Sequence, residues 1–260
     1  MPANYAFHRF GADALRLLPS QMQGNIQRFR RLYNGGLHGQ DLFFYFKPTK
    51  ATPVGELRGT YDAMTGRAFF EKAAAWLKEN PSEGGTVCLY GLLAHYCLQS
   101  TLAPLFAAEI KAGKVSRTEL EVEFDRYLLG LDGRTPAHTQ DISEHFKMTR
   151  GECMTLSGFF PPATPANVVS ALKSMTSWTR RLAAPKRRLA KLLLNLTRGE
   201  FPGQMMPDHA NHKCLHLDGA MLECYHAALE KYPEMVQRLA LYGKNGTPLG
   251  EEFDLPFVSC

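Results

Sequence analysis

Residues Tyr90-Gly-Leu-Leu-Ala-His95-Tyr-Cys-Leu-Gln99-Ser-Thr-Leu-Ala103-Pro104 read as a buried helix carrying a polar stripe. Positions 95, 99 and 103 are four apart, so a helix stacks them on one face. Leu92, Leu93, Leu98 and Leu102 surround an imidazole and an amide. A buried polar group left unpaired costs a few kcal/mol, so other parts of the chain must meet that stripe.

With 260 residues the chain can bury a full core. Its 45% hydrophobic and 21% charged residues match an ordinary globular protein rather than a disordered one. A formal net charge of +5 permits contact with phosphates or an anionic membrane face and demands neither. The first ten residues, Met1 to Phe10, lack the basic end and apolar core of a signal peptide, and no apolar run approaches the roughly 20 residues that span a bilayer. A cytoplasmic location is therefore expected. There Cys88, Cys97, Cys153, Cys214, Cys224 and Cys260, scattered and without CxxC pairs, are expected as thiols rather than disulfides or zinc ligands.

Helical signals dominate and strand signals are nearly absent, so the expected fold is all-α, one domain over residues 1–260. Met22, Ile26, Phe29 and Leu32 predict a helix over about 19–33, ended by Gly35-Gly36. A glycine-rich turn then leads into the aromatic run 42–46, with Asp41 just before it. A carboxylate there either caps a helix or holds a cation. A loop through Pro53 and Gly59 is expected to reach Tyr61-Asp62. Helices are predicted from about 65 to 79, along the opening stretch, and from Pro104 onward as a separate short helix. Ser116-x-x-Glu119 reads as a capping box for a helix ending at Gly130. Residues 131–165 read as loop-rich, and further helices are expected at about 166–183, 185–198, 218–231 and 233–242.

His8, Asp41, Asp62, His95 and Glu121 are imidazoles and carboxylates of the kind that hold zinc, spread so widely in sequence that only a fold can gather them. Arg117 sits at a first helical position, where the positive end of the dipole disfavours a cation. It either makes a surface ion pair with Glu121 or points into a pocket that wants positive charge. Asp208, His209, His212, Cys214, His216 and Asp218 are dense in ligand types, yet Pro207 and an apparent cap at Asp218 read as a loop. Residues 178–194 form a basic, partly amphipathic pair of helices, either a solvated face or a peripheral contact with an anionic membrane. Aromatics cluster with apolar residues instead of alternating with basic ones, so no nucleic-acid partner is expected.

Four segments taken in order resemble the bacterial zinc-dependent phospholipase C family, in its short members without a signal peptide. They are His8-Arg-Phe-Gly11, Gly36-Leu-His-Gly39-x-Asp41-Leu-Phe-Phe-Tyr, Gly91-x-x-x-His95-Tyr-x-Leu-x-Ser-x-x-x-Pro104 and Glu121-x-Glu-Phe-Asp-Arg126, all within residues 1–130. The resemblance implies an α-helical fold shared with single-strand nucleases, and a cluster of up to three zinc ions that activates water against a phosphodiester. Clustered cations suit that chemistry, because they neutralise the substrate and lower the pKa of bound water.

By this resemblance His8, Asp41, His95 and Glu121 stand at ligand positions. Asp62 stands where the family has histidine, Gln99 where it has a bridging aspartate, and Ala103 and Arg117 where it has histidines. The expectation that follows is a retained fold with a reduced metal site. Asp41, Asp62 and His95, with the Gln99 carbonyl as a weak fourth ligand, would hold one zinc, His8 would serve a second at most, and Arg117 paired to Glu121 would stand in for a lost metal. The implied activity is phosphate-ester hydrolysis, with Arg117 and Glu121 in the catalytic pocket. The alternative is an inactive protein that binds a phosphorylated ligand, a lipid headgroup or a protein partner there.

Overall fold

The computed structural model describes residues 4–48, 50–113, 115–137, 140–141, 143–182, 206–207 and 209–258. Among these, the regular elements are all helical, and Thr65 and Pro256 form an isolated β-bridge. The expected all-α fold is observed. The helices are α1 (Asn4–Arg16), α2 (Ser20–Arg28), α3 (Arg30–Gly36), α4 (Pro53–Asp62), α5 (Gly66–Glu79), α6 (Glu83–Lys111), α7 (Arg117–Leu131), α8 (Arg150–Gly158), α9 (Pro165–Leu182) and α10 (Asp218–Asn245). Short 3-10 turns cover Gly39–Tyr45, Ser143–Phe146, Leu215–Leu217 and Glu251–Phe253.

The opening stretch lies inside α6, which is 29 residues long and apolar on nearly every side. Helices α3 and α10 flank it, and α1, α2, α5, α7, α8 and the Gly39–Tyr45 turn also pack against it. The approach of α3 is backbone to backbone. A Cβ on Gly36 would stand 2.4 Å from the Cys88 carbonyl oxygen, and one on Gly91 would stand 2.2 Å from that of Tyr33. Only glycine permits this crossing, and the crossing sets the next turn against His95. Gly39 in that turn has φ +48°, a left-handed conformation that favours glycine, and its α-carbon faces the His95 ring.

Several boundaries differ from the sequence reading. The segment expected as one helix over 19–33 breaks at Phe29, whose φ of −112° and ψ of 34° are not helical. The loop expected before Tyr61 is α4, capped by Thr52 Oγ1 accepting from the Gly55 N–H, with Pro53 in its first turn. Pro104 and Pro233 both lie within continuous helices, α6 and α10. Proline there removes one backbone bond at a cost of about 3 kcal/mol, which burial of its neighbours, Ala103 and Phe106 in α6 and Tyr232 and Met235 in α10, helps offset. The loop-rich 131–165 region contains α8, started by a Thr149–Glu152 capping box. Residues 185–198 fall outside the described residues.

One cluster of buried apolar side chains runs from Tyr5 to Phe257, so both halves of the chain share a core. Its ends are fastened. Asp125 on α7 accepts the backbone N–H groups of Tyr5 (3.1 Å) and Ala6 (2.8 Å) at the start of α1. The C-terminal segment donates Val258 N–H to the Asp62 carbonyl at 3.0 Å, and the Tyr96 hydroxyl shares its one proton between the Glu252 and Leu255 carbonyls, each 2.9 Å away.

Candidate functional site

The fold brings Asp41, Asp62, His95, Arg117 and Glu121 into one neighbourhood, together with a residue that the sequence reading did not single out. That residue is Arg58. Because α4 is a helix rather than a loop, Arg58 and Asp62 lie one turn apart on one face. Arg58 Nε donates to Asp41 Oδ1 at 2.9 Å and stands 3.6 Å from Asp62 Oδ2. Gln40 Nε2 donates to Asp62 Oδ1 at 2.8 Å. On the far side, Arg117 Nε donates to Glu121 Oε1 at 2.7 Å. Asp41 and Glu121 are buried, whereas Arg58, Asp62 and Arg117 keep about a fifth of their side-chain surface open (17%, 17% and 23%). The neighbourhood therefore has a solvent-facing side.

Burial and the Asp41 charge push the Asp62 carboxyl up to about 6, against the opposing pull of Arg58, Gln40 and Arg117. The Arg117 charge is felt at both Asp62 and His95, which ties the two ion pairs into one electrostatic unit. Three carboxylates face two guanidinium groups, an excess of one negative charge when Asp62 is ionised.

His95 is fully buried, and its Nδ1 lies 3.0 Å from the Leu37 carbonyl oxygen. A carbonyl only accepts, so Nδ1 carries the proton and Nε2 keeps its lone pair. Burial holds this imidazole below the usual histidine range. Nε2 has no hydrogen-bond partner and lies 4.0 Å from Asp41 Oδ2. One turn along α6, Gln99 is buried with its Nε2 also unpartnered, and Ala103 follows, buried.

A lone pair beside two carboxylates is a donor set for a divalent cation, but the side chains as placed do not fit one. Zinc draws its donor atoms to about 2.0–2.2 Å, whereas the Arg58 guanidinium already occupies the space between Asp41 and Asp62. Among the described residues no group of three or more His, Cys, Asp or Glu is arranged to hold a metal.

His8 is not part of this group. It stacks on His145, ring centroids 4.0 Å apart and 16° from parallel, and His145 in turn stacks on His38 at 5.1 Å. His209, His212 and His216 are exposed on a turn, with His216 Nε2 4.0 Å from Glu109. Asp218 is the first residue of α10 and faces Arg126 at 3.5 Å. Of the basic stretch 178–194, residues 178–182 end α9, with Arg180 paired to Asp141 and Arg181 over the Trp178 ring. The remainder lies outside the described residues.

Arg58 was legible only through its i,i+4 relation to Asp62, a signal hidden by reading that segment as a loop. His145 carried no signal in the sequence. No family model, curated protein or solved structure matches the chain.

Proposed function

We propose that this protein is a phospholipase C-like, all-α scaffold that binds a phosphorylated ligand without hydrolysing it. The observation carrying the reading is the Arg58 guanidinium held between Asp41 and Asp62. A guanidinium supplies the positive charge of a metal but has no coordination site at which to lower the pKa of water. Arg117 on Glu121 supplies a second fixed charge of the same kind.

The ligand enters from the side where Arg58, Asp62 and Arg117 reach solvent. Planar guanidinium groups present paired N–H donors to phosphate oxygens. Asp62, already raised to about 6, takes up a proton as an anion approaches and then donates to it. A phospholipid headgroup or its soluble glycerophosphodiester fits this description. Membrane contact through residues 178–194 and a cytoplasmic location belong to the same reading.

The hydrolase reading rests on the His95 Nε2 lone pair beside Asp41. Calorimetry with glycerophosphocholine, together with zinc analysis of the purified chain, separates the two. Saturable binding weakened about tenfold or more by Arg117→Ala, with less than one zinc per chain, is expected. Two or three tightly held zinc ions with phosphodiester hydrolysis lost in Asp41→Asn would establish the hydrolase instead.

A further inference from the structure

The histidine stack has a different chemistry from the site above. His8 on α1, His38 after α3 and His145 in the Ser143–Phe146 turn come from three separate parts of the chain. Phe146 lies along one side, its ring edge-on to both His145 (4.4 Å) and His38 (4.7 Å). His8 Nδ1, both nitrogens of His38 and His145 Nε2 are buried with no hydrogen-bond partner. Burial and the neighbouring positive charges hold all three rings neutral, with His8 lowered to about 4. Each neutral ring carries one N–H and one lone pair. The stack thus holds both donors and acceptors in want of partners.

Two guanidinium groups act on it. Arg30 opens α3, two turns before His38, and α3 packs against the Ser143–Phe146 turn that carries His145. Arg30 and Arg134 both lower His8 and His145. Arg134 donates to Gln140 Oε1 at 3.3 Å and lies over the Tyr5 ring. Arg30 is more isolated. It is half-buried, Nε donates to the neutral Asn34 Oδ1 at 3.0 Å, the guanidinium lies 5.6 Å from the Tyr33 ring centre, and no acid among the described residues pairs with it. A partly desolvated cation without a counter-ion is a costly arrangement unless something completes it.

A metal ion does not complete it. Stacked rings hold their nitrogens in separate parallel planes rather than converging, and two guanidinium charges repel a cation. A fully ionised oxyanion would satisfy the N–H groups and Arg30 but not the imidazole lone pairs. A phosphate group that retains a proton does both, because its oxygens accept and its O–H donates.

We propose that Arg30, His8, His38 and His145 form a second binding site, distinct from the Arg58–Arg117 pocket, for a protonated phosphate group, either inorganic phosphate or a small phosphomonoester. The site needs no metal and does not depend on the function proposed above.

The test is calorimetric titration of the full chain with inorganic phosphate, with glycerol phosphate and with sulfate, alongside zinc. Phosphate is expected to bind at least tenfold more tightly than sulfate, and Arg30→Gln is expected to weaken it tenfold or more. Arg238→Gln, which alters an exposed ion pair with Glu234 outside both sites, should leave this binding unchanged, and the imidazole nitrogen shifts assign the binding to the stack rather than to the Arg58–Arg117 pocket. Tighter binding of glycerol phosphate than of phosphate identifies a monoester as the ligand, and the reverse identifies the free ion. Imidazole nitrogen shifts in the wild-type protein provide a readout that requires no variant: phosphate should move those of His8, His38 and His145. Equal binding of sulfate, an unaffected Arg30→Gln, unmoved imidazole shifts, or stoichiometric zinc uptake in place of phosphate would each overturn the proposal.

Discussion

The Asp41–Arg58–Asp62 group and the His8–His38–His145 stack are joined by a single turn, since His38 and Asp41 are three residues apart, yet they solve the problem of buried polarity in opposite ways. In the first, each carboxylate has a guanidinium or an amide donor, and the leftover charge is a single negative one shared with a titrating Asp62. In the second, neutral rings and an unpaired Arg30 leave donors, acceptors and charge unmatched among the described residues. The first group is paired within the protein, and a ligand would bind there by taking over part of that pairing on its solvent-facing side. The second is incomplete without something added.

The largest expected effect comes from breaking the completed group. Removing Arg58 strands Asp41, nearly inaccessible, beside another carboxylate. Arg58→Met should cost about 3–5 kcal/mol in chemical denaturation, and added zinc should restore part of it by binding Asp41, Asp62 and His95. A near-neutral Arg58→Met would show that the guanidinium does not hold the group together.

Acid probes the other side. A histidine whose folded pKa is depressed binds its proton more readily when unfolded, so stability falls as pH drops below the unfolded value. For His8, lowered from 6.5 to about 4, the loss accumulates across that window and is on the order of 3 kcal/mol by pH 4. Burial adds to it at His38 and His145. His8→Phe, which keeps the stack, should flatten this slope in urea melts. An unchanged slope would remove His8 from the acid response.

Asp62 has the reverse sign. Its folded pKa of about 6 exceeds the model-peptide value of 3.8, so the folded state holds the proton more tightly and loses stability as pH rises from about 4 to 6. Asp62→Asn keeps an oxygen for Gln40 and should stabilise by about 1–2 kcal/mol at pH 8, fading below pH 4. A destabilised variant at pH 8 would mean that the Arg58 contact outweighs burial. As a control outside both clusters, Ser116→Ala removes the α7 cap and should cost about 1 kcal/mol at neutral pH, leaving both clusters' pH signatures in place.

Local chemistry was readable where local rules decide it. The capping box at Ser116 and the helix over 65–79 follow from side chains that act within one turn, and both are observed. The Arg117–Glu121 pair, readable from its spacing, is also present. Misreadings arose where tertiary burial overrides punctuation: proline at 104 and 233 did not end its helix, and Pro53 and Gly59 did not prevent α4. That last error hid Arg58, because a loop offers no i,i+4 relation to Asp62.

From sequence alone, the buried helix 90–104 established that polar side chains must gather around His95, because leucines on every side leave its imidazole no route to water. It could not say which. The partner was chosen by the close passage of Gly36 against Gly91, which delivers the Leu37 carbonyl to Nδ1, and by α4, which delivers a guanidinium where carboxylates converge. Those contacts join residues separated by tens of positions, and their geometry follows from how the helices cross. Periodicity specifies which face of a helix is polar, but only packing decides what charge stands opposite it.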